Sequence, residues 1–344
     1  MAEFRTPVKV RTTSSLQHGK DTGPRKIMIP PSPCMKQLGY GTGVSVYLME
    51  RYSPLHGCYK SPWAVKKINR RIEDKKGEFT KRLSFEAEIL KDLNHQNIIG
   101  YRSYTSYQDG TKCLAMESGE KSLADIIEVR QEEGLGPFSS QQILKVARDI
   151  SSALTYLHEE KNLLHGDLKS ANILIKGDFE IAKLCDFGVT LKLNDKGVAS
   201  IEDGCYVGTE CWSAPEALVG AVITYKTDIF SFGLVVWEML SLSPPHVDKL
   251  SFNETKDAED TGSLDDETDE YFKALGTRPA LPNIEMSDDY LPVLEIFYAC
   301  TESEQARRPS AKQVLDILCS IEDQKKKTEN LENTCVKSGI AEDK

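Results

Sequence analysis

No apolar run in this chain is long enough to cross a bilayer. Its first residues also lack the apolar core of a signal peptide and an early glycine for myristoylation. A soluble intracellular protein, cytoplasmic and nuclear, with no membrane partner, is the expectation. Cysteine occurs nine times, an odd number in no metal-ligand spacing, which fits a reduced compartment better than a disulfide framework. A basic excess is missing too: the formal net charge is −10, and Glu254 to Glu270 alone carries −8 of it. With the remainder nearly balanced, no nucleic-acid partner is expected, and the acidic stretch reads as a solvated insertion.

The 344 residues are enough for two lobes that each bury a core. Residues 1–30 carry Pro, Ser, Thr and basic residues without hydrophobic periodicity and read as a disordered basic arm. Val44 to Met49 and Pro62 to Ile68 read as strands, Arg82 to Leu93 as a helix, and Gln108 to Gly110 as a turn between two further strands. The second of those strands is Cys113 to Glu117. Beyond it the pattern turns helical: Ile143, Val146, Ala147, Ile150, Ala153, Leu154 and Leu157 share one face, and Ser139 with Gln142 forms a capping box at its start. The fold class expected is α+β, a small antiparallel lobe over 31–117 and a larger, mainly helical lobe over 118–322. An acidic insertion lies at 248–270. The Lys- and Glu-rich tail, 323–344, has no apolar face and is expected to be disordered.

Three strings carry the chemistry: HGDLKSANILI from His165, CDFG from Cys185, and APE from Ala214. They set out a carboxylate to accept a proton, an amide and a carboxylate to hold metal, and a docking segment, in the order that phosphoryl transfer to a protein hydroxyl requires. Upstream, LGYGTGVSVY from Leu38 places glycines between two strand-like runs, where backbone N–H groups can approach phosphates, and WAVKK from Trp63 offers a lysine. Glu86 follows in a helical run.

In this order the motifs resemble those of protein kinases, and the resemblance implies a bilobal kinase fold over 31–322. It implies ATP and Mg2+ as cofactors. Asp167 would be the proton acceptor, Lys169 would lie beside the transferred group, and Lys66 would contact the α and β phosphates with Glu86 as its partner. Asn172 and Asp186 would be the metal ligands. The nucleotide pocket would involve Leu38, Gly39, Gly41, Gly43, Val46, Ala64, Lys66, Met116, Glu117, Gly119, Asn172 and Asp186, with the backbone of Glu117 to Gly119 reaching adenine. Asp228 would tie down the 165–172 loop, although an isolated Asp at a helix start is an N-cap. Glu216 and Arg308 would form a buried pair.

Lys169, two residues after Asp167, and GTECWSAPE at Gly208 to Glu216 resemble the Ser/Thr pattern, with Thr209 placed to bond Asp167 and Lys169. The DFGVT and KSANILI strings are similar to those of mitogen-activated protein kinase kinases, which leaves dual specificity open. FRTPVKV, SPWAVKKIN, CLAME, HGD in place of HRD and the acidic loop before ALGTRP resemble, more narrowly, the PDZ-binding kinases. That resemblance implies a mitosis-linked enzyme with protein substrates, mitogen-activated protein kinases among them, and spindle association. A PDZ-domain partner is not expected, since the last residue is Lys344.

Two departures bear on mechanism. Val44 stands at the third glycine of the phosphate loop, and Gly166 replaces the arginine that pairs with an activation-loop phosphate. Control is therefore expected at Thr6, whose Thr-Pro-Val-Lys context suits a cyclin-dependent kinase, with Thr190, Ser200 and Thr209 as weaker phosphosites. Cys185 is a candidate for alkylation from the nucleotide site, against the plainer reading of an inert buried thiol. The alternative to an enzyme is an ATP-binding pseudokinase scaffold.

Overall fold

Short apolar runs bounded by turns become buried strands here. The computed structural model describes residues 35–41, 44–53, 57–69, 77–106, 110–200, 206–249 and 270–338. Its first part is β1 (Met35–Gly41), β2 (Val44–Ser53), β3 (Cys58–Ile68), α1 (Glu78–Asp92), β4 (Tyr101–Ser106) and β5 (Lys112–Glu117). The strands form one antiparallel sheet in the order β1-β2-β3-β5-β4. Both strands flanking the β1–β2 connection keep pairing up to Gly41 and Val44, and a register shift skips Leu38. Gly43 lies outside the described residues, as do Thr6 and the acidic insertion from 250 to 269. β2 and β3 run longer than expected, and α1 starts at Glu78 rather than Arg82, after a left-handed Gly77. The buried stripe of α1 is Leu83, Glu86, Ala87 and Leu90, so one carboxylate points inward with the apolar residues.

The larger lobe contains β6 (Lys121–Ser122), α2 (Leu123–Glu132), α3 (Ser140–Thr155), β7 (Leu163–Leu164), β8 (Ile173–Lys176), β9 (Ile181–Leu184) and β10 (Leu191–Lys192). α4 (Pro215–Leu218), α5 (Lys226–Ser241), α6 (Leu291–Cys300) and α7 (Ala311–Ser338) follow. α3 carries the expected Ser139–Gln142 capping box and ends in one π-helical turn, Tyr156–Glu160. Sequence reasoning passed over α2, whose signal was a second capping box, Ser122 with Asp125. A single apolar cluster extends from Ala64, Leu90 and Met116 through Phe187 to Phe232 and Phe297, so the two lobes share a core.

The end of the chain differs from expectation. The 323–338 stretch continues α7 as helix, where an apolar-face argument predicts disorder. No Gly or Pro occurs from Ala311 to Ser338, and the run is rich in Lys, Glu, Gln and Leu, which pay little rotamer entropy in a helix. The helix is also anchored upstream: Arg148 Nη1 on α3 reaches Glu322 Oε2 at 2.5 Å.

α5 is buried continuously from Thr227 to Leu240, which explains why its apolar residues show no single face. Two acids lie within it. Asp228 is not an N-cap; Tyr225 holds that position. Glu238 is 3% exposed and is hydrogen-bonded by two neutral donors, Ser170 and Trp212. Burial pushes its carboxyl up to about 7, against the pull of those donors. An acid raised by folding costs nothing below its ordinary value of 4.5, where both states are protonated, and the full cost falls above about 7. Glu238→Gln should therefore gain stability relative to the parent as the pH rises from 5 to 8, by at most about 3 kcal/mol. Urea melts at the two pH values measure this, and a difference that does not grow with pH would contradict it.

Candidate active site

Lys66, Glu86, Asp167, Lys169, Asp186 and Thr209, all singled out in the sequence, line one cleft of ≈ 380 Å3, whereas Val46, Ala64, Met116, Glu117, Gly119 and Asn172 are not part of its lining. Lys66 arrives from β3, Glu86 from α1, and the rest from the loops after β7, β9 and β10. Lys66 Nζ lies 2.8 Å from both Glu86 Oε2 and Asp186 Oδ1. Burial works against the ammonium, but the two carboxylates outweigh it and hold the Lys66 pKa above its ordinary value. Burial pushes Glu86 up to about 7 despite the opposing pull of Lys66. Burial would also raise Asp186, yet the charge and hydrogen bond of Lys66 leave it below the usual carboxylate range. Asp186 holds a left-handed backbone, φ 65, which turns its carboxylate back toward Lys66.

The 165–172 loop is held from below by Asp228, which accepts the His165 N–H at 2.8 Å, the Gly166 N–H at 3.0 Å and a bond from His158 Nε2 at 2.8 Å. His165 in turn packs edge-on against Phe187, ring centroids 5.2 Å apart. Gly166 has φ 84, and a Cβ there would sit 2.9 Å from the Val189 carbonyl oxygen, so glycine relieves a real backbone constraint as well as removing a cation. Asp167 Oδ1 accepts from the Thr209 hydroxyl at 2.6 Å, and Oδ2 accepts from Lys169 Nζ at 2.8 Å. Lys169 also donates to Thr209 Oγ1 at 2.7 Å.

Hard oxygen donors suit magnesium. Asn172 spends its amide N–H groups on the Asp167 carbonyl, 2.7 Å, and on Asp167 Oδ2, 3.2 Å. Its own Oδ1 is thereby left as an acceptor, and Asp186 has a second oxygen besides the one facing Lys66. One amide oxygen and one carboxylate fit a cation whose other ligands are phosphate oxygens and water.

Val46, Ala64 and Met116 pack in the same apolar cluster, Ala64 paired across the sheet with Met116. Glu117 is fixed from both sides. Its N–H donates to the Gly100 carbonyl at 2.7 Å, and its carboxylate pairs with Lys176 and, at 3.3 Å, with Lys183. Gly119 rests on Leu174: a Cβ would meet Leu174 Cδ1 at 2.7 Å. Leu174 escaped sequence reasoning, though the alternating burial of β8, with Ile173 and Ile175 inside, already turns it to the other face. The side chains of Leu38, Gly39 and Gly41 are outside the described set, and only their strand is seen.

Among the weaker phosphosites, Thr190 is 3% exposed and the Thr209 hydroxyl is held by Asp167 and Lys169, whereas Ser200 is exposed. Burial pushes the Cys185 thiol well above the usual range, and Asp186 adds to the effect. The thiolate is the reactive form. Iodoacetamide at neutral pH should therefore label the exposed Cys58 and Cys319 and leave Cys185 untouched until the protein is unfolded. Peptide mapping reads this out, and ATP-sensitive labelling of Cys185 would reverse the conclusion.

The geometry and the comparisons agree on the class. The chain belongs to the protein kinase family: the model for the protein kinase domain matches residues 34–318. It is 47% identical over 322 residues to the human Lymphokine-activated killer T-cell-originated protein kinase, an alignment covering 92% of this chain and 98% of that protein. Other relatives include the Arabidopsis thaliana Serine/threonine-protein kinase STY17, 27% identical over 70% of this chain and 37% of that protein. The Caenorhabditis briggsae Mitogen-activated protein kinase kinase kinase dlk-1 is 34% identical over 56% of this chain and 20% of its own length. No described helix is long and apolar enough to cross a membrane.

Proposed function

We propose that this kinase moves the γ-phosphoryl group of ATP to Ser and Thr hydroxyls of protein substrates, with Asp167 as the proton acceptor. The observation that carries the reading is the convergence of Lys66, Glu86, Asp167, Lys169, Asp186 and Thr209 on one cleft from segments spread over more than a hundred residues. ATP with Mg2+ supplies the transferable group and the charge that offsets its phosphates. The chain's own residues do the rest. Lys66, aimed by Glu86, holds the α and β phosphates. Asn172 and Asp186 hold the metal. Asp167 has two lone pairs on each oxygen, so an incoming hydroxyl can share Oδ1 with Thr209 and pass its proton there. Lys169, kept beside Asp167, offsets charge as the phosphoryl group arrives.

The resemblance of FRTPVKV, SPWAVKKIN, CLAME and HGD to the PDZ-binding kinases supports a mitosis-linked role with mitogen-activated protein kinases among the substrates, and the Thr6-Pro7-Val8-Lys9 context supports activation by a cyclin-dependent kinase. Gly166 cannot bind an activation-loop phosphate, which favours control from the amino-terminal arm over control from Ser200. Retention of every catalytic position and its geometry weighs against the scaffold alternative. The test is Mg2+-dependent transfer from labelled ATP to a histone acceptor, followed by phosphoamino-acid analysis. Phosphoserine and phosphothreonine are expected, and loss of transfer by at least about tenfold in Lys66→Met. Binding of ATP with no transfer would favour the scaffold, and phosphotyrosine alongside would show dual specificity.

A further inference from the structure

Glu210 directly follows Thr209, the residue that brings the peptide-docking segment to Asp167 in the cleft. Its carboxylate is exposed, and among the described residues no cation pairs with it. Unpaired acids are ordinary on a loose surface, but this one stands on a fixed turn. The Ser213 N–H donates to the Glu210 carbonyl at 2.9 Å, the Trp212 N–H to the Thr209 carbonyl at 3.0 Å, and the Thr209 hydroxyl to Asp167 Oδ1 at 2.6 Å.

A second feature beside the turn also attracts positive charge. The Tyr271 hydroxyl bonds the thiol of Cys211, the next residue of the turn; burial, Cys211 and the nearby Glu210 charge push that hydroxyl up to about 12. Phe272 meets Tyr271 edge to face, ring centroids 5.7 Å apart, and is 60% exposed. A carboxylate and open aromatic rings both draw a cation. The inner charges are already answered, Lys169 by Asp167 and Lys66 by Glu86 and Asp186. Arg82, the exposed cation of the cleft lining, belongs to α1 and the small lobe, not to this turn.

We propose that Glu210, with the Tyr271 and Phe272 rings beside it, is a specificity determinant that selects acceptor segments carrying arginine or lysine next to the reacting Ser or Thr. Reach permits this. The acceptor hydroxyl shares Asp167 Oδ1 with Thr209, Glu210 is one Cα step of about 3.8 Å further on, and an extended acceptor advances only about 3.4 Å per residue. A long cationic side chain flanking the acceptor can therefore lay its stem on the rings and its head on the carboxylate. The inference rests on the kinase reading and names the substrate class of the same site.

The test takes the full chain and synthetic peptides that differ only in the two residues flanking a single Ser: arginine, lysine or glutamate. The parent should use the arginine peptide with a kcat/KM about tenfold or more above that for the glutamate peptide. Most of the difference should lie in KM, because an ion pair made on binding is kept in the transition state. Glu210→Gln retains the shape without the charge and should bring the ratio within about threefold of unity, and Glu210→Arg should invert it. A ratio taken within one protein does not depend on how much of that protein is folded. Arginine should serve at least as well as lysine, since its guanidinium also stacks on rings. Raising salt from about 0.05 M to about 0.5 M should shrink the parent's ratio. A parent ratio near unity, a tenfold ratio that survives in Glu210→Gln, or lysine outperforming arginine would overturn the proposal. A parent inactive on every peptide and on histone would instead defeat the kinase reading beneath it.

Discussion

Asp167→Asn is expected to bind ATP as the parent does and to phosphorylate its acceptor at least about 100-fold more slowly, the low end of what a positioned proton acceptor contributes. The amide is nearly isosteric, so the loop has no steric reason to move. With its oxygen toward Lys169 and Asn172, and its N–H groups toward the Thr209 hydroxyl, the amide can satisfy each partner that Asp167 has now. What it cannot do is take a proton. Asp167 is placed in no nucleotide contact, so the dissociation constant for ATP, measured by calorimetry, should change by less than about threefold, which is well under 1.4 kcal/mol. Steady-state turnover within a factor of ten of the parent would remove Asp167 from its role.

The second large effect concerns stability. Arg308 has a side chain with no exposed surface, and it grips Glu216 with both ends of its guanidinium, Nη1 to Oε1 at 2.7 Å and Nη2 to Oε2 at 2.8 Å. It also donates to the backbone carbonyls of Glu302 at 2.7 Å and Lys226 at 3.1 Å. Arg308→Leu strands a carboxylate and leaves carbonyls unpaired, and should cost about 3–5 kcal/mol, a large part of the 5–15 kcal/mol by which folded proteins usually exceed their unfolded state. Urea denaturation should show the midpoint falling with little change in slope. Burial would raise the Glu216 carboxyl, but the Arg308 bonds and charge win and hold it below its ordinary 4.5. The pairing energy is thus fully present above that value and is lost as the pH falls through the depressed one. The gap between parent and variant should therefore narrow in acid. A loss under about 1 kcal/mol at pH 7 would mean the pair is worth no more than a surface one.

Local pattern sufficed for the elements whose cause is local. The capping box at Ser139, the apolar face of α3 and the strand Cys113 to Glu117 depend on residues a few positions apart, and they appear where expected. The tail past residue 322 misled because the absence of an apolar face was taken to mean the absence of a helix. Propensity and continuity with an already anchored helix carry α7 onward to Ser338.

The sequence by itself determined which chemical groups the proposed phosphoryl transfer would draw on, since their types and order are written in the chain: Lys66, Glu86, Asp167, Lys169, Asn172 and Asp186. Only the tertiary structure decided what those groups do to one another. Lys66 faces a second carboxylate, Asp186, at the same distance as Glu86, and Glu238 joins two turns 42 residues apart at Ser170 and Trp212. None of these pairings has a period or a spacing, because each is made between segments that meet only after the shared core forms and shuts out water. Burial then pushes the Glu86, Glu238 and Cys185 pKa values upward, and desolvation is a property of the folded surroundings that no residue carries alone.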